Sequence, residues 1–237
     1  MKINFEKKKK LDFKTNEAYK TLRTNISFSG NDIRVIALTS SLPNEGKSAV
    51  SFNLADSLAE DGKKVLYMDA DIRKSVTIAR YGVDIETKGL SHYLSGQCEW
   101  EEVVYETNIP NFSIIFTGQT APNPSELLGS MRFKTLITLM REKYDYVIID
   151  CPPLGSVIDA AIVAKECDGA IIVIETDNVS YKVVQRVKKQ LEQSGCKILG
   201  AVLNKVEMGG KGYGYYGKGY YRNYYGNYGN YGKTEDE

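Results

Sequence analysis

Six short apolar runs recur along the chain, at residues 35–39, 65–69, 113–116, 146–150, 170–174 and 198–203. Each is too short for a helix and rich in Val, Ile or Leu, so each reads as a strand buried on both faces. Between most of them apolar residues return at helical spacing, which predicts helices over about 47–61, 125–142, 159–166 and 179–194. A further helix is predicted over about 16–28, ahead of the first strand. Strands alternating with helices of this length imply an α/β fold, a mostly parallel sheet with helices on both faces.

Composition adds limits to that picture. The 237 residues are 42% hydrophobic and 26% charged, enough for a sizeable core and against wholesale disorder. Lys+Arg number 31 and Asp+Glu 30, a net charge of +1, so no global field draws the chain to nucleic acid. Locally the charge is uneven. Residues 1–10 hold five Lys and one Glu, and the run Lys7–Lys10 would attract an anionic membrane surface or simply be solvated. No run approaches about 18 apolar residues, so no transmembrane helix is expected. No apolar stretch follows Lys10, so no secretory signal is expected either. Cys98, Cys151, Cys167 and Cys196 form no CxxC pair and His92 is the single histidine. That disfavours a zinc site, and reduced thiols in a cytoplasmic protein are expected. Residues 209–232 contain nine Gly and nine Tyr and no aliphatic residue. Such a segment cannot build a core, and it reads as a flexible tail. The expected organisation is a basic segment over 1–14, a folded domain over 15–207 and a tail over 208–237.

The first strand runs straight into Ser41-Leu42-Pro43-Asn44-Glu45-Gly46-Lys47-Ser48, and a predicted helix follows. Gly-Lys-Ser between a buried strand and a helix is the core of a Walker A loop, the signature of a P-loop NTPase-like fold. The free N–H groups of a helix N-terminus point at phosphate oxygens, Gly46 lets backbone approach them, and Lys47 reaches the β- and γ-phosphates. Ser48 would bind Mg²⁺. Ser41 stands where the first glycine of the motif usually falls, and Asn44 is suited to a left-handed turn. Pro43, Asn44, Glu45, Gly46, Lys47, Ser48 and Ala49 are therefore expected to hold a nucleotide. Two other strands end in acid, one in Asp69-Ala70-Asp71-Ile72-Arg73 and one in Asp150-Cys151-Pro152-Pro153. In a parallel sheet these strand ends face the same crevice as the phosphate loop. Asp150 has Walker B character. Asp69 and Asp71 would share a face, one taking a proton from an attacking hydroxyl while the other helps hold metal. Arg73 would steady charge on the γ-phosphate. Ser48, Asp71 and Asp150 are the expected metal ligands, and Asp159 reads as a helix cap.

These pieces together resemble the bacterial tyrosine kinases of capsular and exopolysaccharide systems, in the form whose cytoplasmic kinase is a separate chain. The resemblance rests on the Walker A loop, on Asp69-Ala70-Asp71-Ile72-Arg73, and on Ile149-Asp150-Cys151-Pro152-Pro153. It also rests on the GQTAPNPSELL segment at 118–128, the helix around Glu17, Lys20 and Arg23, and the terminal tyrosines. It covers nearly the whole chain from about residue 15. Two positions depart from the family: Asn44 where it usually has Gly, and Lys20 where the Glu-x-x-Arg-x-x-Arg helix has its middle Arg. The resemblance implies ATP and Mg²⁺ as cofactors and autophosphorylation of Tyr213, Tyr215, Tyr216, Tyr220, Tyr221, Tyr224, Tyr225, Tyr228 and Tyr231. It implies a homo-oligomer, in ring form, joined through Glu17, Lys20 and Arg23. It implies activation by a transmembrane polysaccharide co-polymerase adaptor that recruits the kinase to the inner face of the plasma membrane, and a cognate phosphotyrosine phosphatase. Asn204, just past the last strand, is expected to contact adenine, as a residue at that place does in related ATPases.

Tail chemistry fits this reading. As a random coil leaving Asn204, the tail would place Tyr213 roughly 17 Å and Tyr231 roughly 29 Å away, which separates neither attack on its own site nor on a neighbour's. Nine phosphates would carry the tail to a charge of roughly −12 to −17, enough to repel it from a shared interface. The competing reading is a MinD/ParA-like positioning ATPase that switches by nucleotide-dependent dimerisation. Such proteins carry a Lys directly after the first Walker position, where this chain has Leu42, and they usually lack a tyrosine cluster.

Overall fold

The computed structural model describes residues 2–6, 10–74, 77, 81–82 and 87–206. Contacts divide the chain into a compact unit, Met1–Asn204, and a second unit, Lys205–Glu237. The nine candidate phosphoacceptor tyrosines and Lys7–Lys9 lie outside the described residues.

The described strands are β1 (Lys2–Ile3), β2 (Val35–Ser40), β3 (Val65–Asp69), β4 (Tyr105–Thr107), β5 (Phe112–Ile115), β6 (Tyr146–Asp150), β7 (Gly169–Glu175) and β8 (Ile198–Asn204). They form one sheet in the order β1-β4-β5-β3-β6-β2-β7-β8, in which only the β4–β5 pair is antiparallel. The six predicted strands fall within about two residues of observed ones. Short β1 and β4 carry too few residues to show a pattern.

Period-two alternation sorts the core. Val35, Ala37, Leu66, Met68, Val147 and Ile149 face one apolar layer, while Ile36, Leu38, Val65, Tyr67 and Ile148 face the other. The described helices include α1 (Phe13–Ser27), α2 (Lys47–Glu60), α3 (Leu90–Leu94), α4 (Pro124–Leu128), α5 (Met131–Lys143), α6 (Asp159–Ala164) and α7 (Tyr181–Gln193). The single helix expected over 125–142 is two. Its break lies at Gly129 and Ser130, where the Ser130 hydroxyl accepts from Phe133 N at 3.3 Å and starts α5 afresh. Likewise Asp12 caps α1 by accepting from Thr15 N at 3.0 Å, which starts that helix at Phe13.

The N-terminal residues, set apart in the sequence reading as a basic segment, join the compact unit. β1 pairs with β4 in parallel register, and Phe5 is buried against Phe52, Tyr81 and Phe112 at ring-centroid distances of 5.3, 5.6 and 6.1 Å. The site itself is fixed by the sheet centre. Register sets Asp150 beside Leu38 of β2 and beside Asp69 of β3, so the two acidic strand ends and the loop after β2 open at one edge.

Candidate active site

The loop between β2 and α2 is shaped by two left-handed residues. Asn44 has φ 68° and Gly46 φ 89°. A side chain at Gly46 would be strained there, and its Cβ would also lie 2.1 Å from Asn204 Nδ2. Asn44 meets the same backbone requirement as Asn can. Beneath the turn the Glu45 carboxylate is fully buried. Its Oε2 accepts from Leu42 N and its Oε1 from Glu175 N at 3.2 Å. Asn204 Nδ2 donates to Glu45 O at 2.9 Å. Glu45 and Asn204, both expected to touch nucleotide, here brace the loop's backbone, while Leu42, Pro43 and Asn44 form its exposed crest. The segment after Asp150 closes the other side. Thr39 Oγ1 donates to Pro152 O at 2.8 Å, and Leu154 N donates to Ser40 O at 2.9 Å. Gly155 presses so close that a Cβ would lie 2.1 Å from Ser41 O.

Lys47 opens α2, with Ser48 and Ala49 half-buried behind it. Its Nζ stands 3.4 Å from Asp150 Oδ1, 3.6 Å from Asp71 Oδ2 and 3.3 Å from Ser48 Oγ. Burial works to lower the Lys47 pKa, but Asp150, Asp71 and Asp69 together outweigh it, so the ammonium is held more firmly than usual. Asp150 also accepts from Ser51 Oγ and from Tyr67 OH, each at 3.3 Å. The two β3 aspartates differ. Asp69 is sealed in, its Oδ1 accepting from Asp71 N at 3.1 Å and its Oδ2 from Thr77 Oγ1. Asp71 lies nearer solvent, and burial, offset by Lys47, raises its pKa above the ordinary carboxylate value.

Arg73, expected to steady charge on the γ-phosphate, pairs here within the fold. Its Nε donates to Asp159 Oδ2 at 2.6 Å and its Nη2 to Asp159 Oδ1 and to Ser125 Oγ, each at 3.1 Å. Asp159 is not the helix cap: Ile158 holds that position with no side-chain cap bond, and Asp159 is the buried partner of this guanidinium. On α1, Lys20 pairs with Glu17 at 2.6 Å, and Arg23 turns to its own α2, with Nη1 2.8 Å from Ser57 O and Nη2 3.0 Å from Asp61 Oδ1. Sequence reasoning also passed over Ser51 and Tyr67. Both carry a readable signal, one four residues after Lys47 on a helix and the other two before Asp69 on a strand.

Whether this pocket suits a nucleotide with Mg²⁺ can be read from its donors. Ser41 Oγ is buried in the loop without a hydrogen-bond partner among the described residues, and a row of backbone donors begins α2. Ser48, Asp71 and Asp150 offer only hard oxygens. Among the described residues no group of three or more His, Cys, Asp or Glu forms a metal cage. Mg²⁺ is commonly held by one or two carboxylates plus substrate phosphates, so the set fits.

Known proteins place the arrangement. A family model described as an AAA domain matches residues 33–198. The chain is 43% identical over 204 residues to the tyrosine-protein kinase CpsD of Streptococcus agalactiae, covering 86% of this chain and 89% of that protein. The kinase domain of the Escherichia coli tyrosine kinase ETK superposes with a TM-score of 0.77 at 35% identity, covering 84% of this chain and 80% of that one. The septum site-determining protein MinD of Pyrococcus horikoshii, complexed with Mg-ADP, superposes with a TM-score of 0.63 at 28% identity, over 72% of this chain and 70% of that one. The MinD likeness is one of shared P-loop architecture, while the kinase likeness runs higher in identity and over more of the chain. By that measure this chain belongs to the bacterial tyrosine-protein kinases of the CpsD type.

Proposed function

We propose that this tyrosine kinase takes ATP with Mg²⁺ and transfers the γ-phosphoryl group to Tyr213, Tyr215, Tyr216, Tyr220, Tyr221, Tyr224, Tyr225, Tyr228 and Tyr231 of a neighbouring copy. The observation that carries the reading is the Lys47 ammonium, poised between Asp71 and Asp150 at the amino end of α2. With contacts of 3.4 and 3.6 Å, it holds neither carboxylate closely and is free to turn to phosphate oxygens.

In this reading the amide donors after Gly46 cradle the phosphates and Lys47 offsets charge on the β- and γ-oxygens. Ser48 and Asp150 would hold Mg²⁺, which would supply charge neutralisation of the transferred group. Tyr67 and Ser51 fix the direction of the Asp150 carboxylate. The phenol oxygen forms a bond to the γ-phosphorus as the bridging bond to the β-phosphate breaks, and ADP leaves. A phenol has a pKa near about 10, so its proton needs an acceptor as the bond forms. Asp71 serves as that base. Asp69 is sealed within the fold, whereas Asp71 lies nearer solvent with its Oδ2 3.6 Å from Lys47 Nζ, and its raised pKa brings it nearer the working pH. Asn204 sits at the loop's back, where it would meet adenine while keeping its grip on Glu45 O.

Family membership supports a biological setting for this reading. The kinase acts in the cytoplasm on the polymerisation and export of capsular or exopolysaccharide. A transmembrane co-polymerase adaptor brings it to the inner membrane face and activates it, and a cognate phosphatase resets it. Consistent with an adaptor supplying the anchor, no helix among the described residues is long and apolar enough to cross a membrane. Copies assemble through the α1 helix bearing Glu17, Lys20 and Arg23, and accumulated tail phosphate drives them apart.

The deciding experiment is incubation with Mg-ATP and the adaptor's cytoplasmic segment, followed by phosphotyrosine detection on wild type and Lys47→Met. Signal on wild type alone supports the reading. Signal on both, or on neither, overturns it.

A further inference from the structure

The geometry points to Asp159 and Ser125 as positioning residues for the catalytic turn, which they hold through Arg73. This deepens the kinase reading above and rests on it. The Asp-x-Asp-x-Arg spacing would send Arg73 to the phosphates, and the structure sends it elsewhere. Asp159 takes the guanidinium in a two-point grip, with Nε to Oδ2 at 2.6 Å and Nη2 to Oδ1 at 3.1 Å. Ser125 completes a triangle. Its hydroxyl donates to Asp159 Oδ1 at 2.6 Å and accepts from Arg73 Nη2 at 3.1 Å. A planar fork meeting a carboxylate at two points fixes direction as well as charge.

The grip is not easily given up. The Asp159 side chain is 1% exposed, so it cannot look to water if Arg73 departs. A buried carboxylate stripped of its cation is among the costlier states a fold can hold. Arg73 swinging to the γ-phosphate would leave that state behind in every turnover. The side chain is thus committed to Asp159.

That commitment has a local consequence. Arg73 lies in the turn that carries Asp71. Lys74 N donates to Asp71 O at 3.2 Å and to Asp71 Oδ1 at 3.1 Å, and Asp71 N donates to Asp69 Oδ1. The turn is therefore pinned at its root by Asp69 and at its tip by Arg73. Between those pins Asp71 Oδ2 is kept 3.6 Å from Lys47 Nζ. The tip's anchors come from two distant segments. Ser125 lies in α4, within the GQTAPNPSELL stretch, and Asp159 begins α6, just beyond the strand end bearing Asp150. The triangle ties the turn after β3 to α4 and to the start of α6, and gives the GQTAPNPSELL stretch a job that its sequence does not announce.

The test uses the full chain with two readouts. One is the tail phosphorylation rate set beside Mg-ADP affinity by calorimetry. The other is hydrogen exchange of backbone amides over 70–74, which needs no activity. For Ser125→Ala and Asp159→Asn the expected result is a phosphorylation rate down about fivefold and tenfold or more, with Mg-ADP affinity within twofold and faster exchange over 70–74. Arg73→Lys should behave as Asp159→Asn does, and the Arg73→Lys/Asp159→Asn double variant should be no worse than either single one. If Arg73 instead serves the phosphates, Asp159→Asn frees it and raises the rate, which overturns the proposal, as does a Ser125→Ala variant with unchanged rate and exchange. Should Asp159→Asn fail to fold, Ser125→Ala, which removes one hydroxyl from a half-buried helix, decides alone. Wild type that never phosphorylates tyrosine would count against the kinase reading, while the exchange result still accepts or rejects the anchoring.

Discussion

Two charged pairs lie within a few residues of each other on the turn after β3, and they are built in opposite ways. Lys47 faces Asp71 and Asp150 at 3.6 and 3.4 Å, with acid in excess over base and no short contact made. Arg73 meets Asp159 at 2.6 and 3.1 Å, with a serine filling the remaining gap. The pKa directions follow the geometry. Burial raises the Asp71 pKa despite Lys47, whereas Arg73 and Ser125 overcome burial and lower that of Asp159. A loosely met charge can exchange its partner for a ligand, and a fully met one can only support. The same residue types, one turn apart, are thus divided into chemistry and frame.

The largest effect that would break this contrast lies at Asp71. Asp71→Asn should slow phosphorylation by about 10²–10⁴-fold, the usual worth of a general base. Because the folded-state pKa of Asp71 is raised, the stability its protonated form lends is present at low pH and is lost as pH rises through that folded value. The same substitution should therefore raise Tm at neutral pH, and a lowered Tm would contradict the assignment.

Next comes Gly46→Ala. Its Cβ would collide with Asn204 at a backbone angle of 89°, so Mg-ADP affinity should fall at least about tenfold, or about 1.4 kcal/mol, in calorimetry.

Asp159→Asn carries the opposite stability sign. Its folded pKa is lowered, so its contribution is present above the unfolded value of 3.8 and is lost as pH falls through the folded one. The variant should lose about 1–3 kcal/mol at pH 7, and the gap to wild type should close in acid. Melting curves of both aspartate variants between pH 7 and acid test the two signs side by side.

The smallest effect is expected at Arg23, which ties α1 to α2 through Ser57 O and Asp61. Arg23→Ala should cost about 0.5–1.5 kcal/mol in denaturant melts of the isolated chain. A variant that keeps monomer stability yet loses assembly would show that the side chain serves only between copies.

What could be read from the sequence followed the range of the interactions. The phosphate loop is local: a buried strand, a left-handed Asn44, Gly46 and a helix beginning at Lys47 all fall within a dozen residues. The acidic strand ends were legible because a parallel sheet brings every such end to one edge. The pairing of Arg73 with Asp159 was hidden because the partner lies 86 residues away, and spacing alone cannot show which way a guanidinium turns. Asp159 looked like a helix cap because its position at the start of α6 is what a cap would have. Phe5 was hidden for another reason. A single aromatic residue in a lysine-rich stretch has no periodicity, and only the burial of its ring among Phe52, Tyr81 and Phe112 shows that the fold begins there.

The most direct test of phosphoryl transfer between copies is a mixing experiment. Lys47→Met, with its tail intact, is combined with a chain whose nine tail tyrosines are Phe, in the presence of Mg-ATP and the adaptor segment. Phosphotyrosine on the tail of Lys47→Met is the predicted result. A bare tail on that chain, while wild type phosphorylates itself under the same conditions, would contradict transfer between copies.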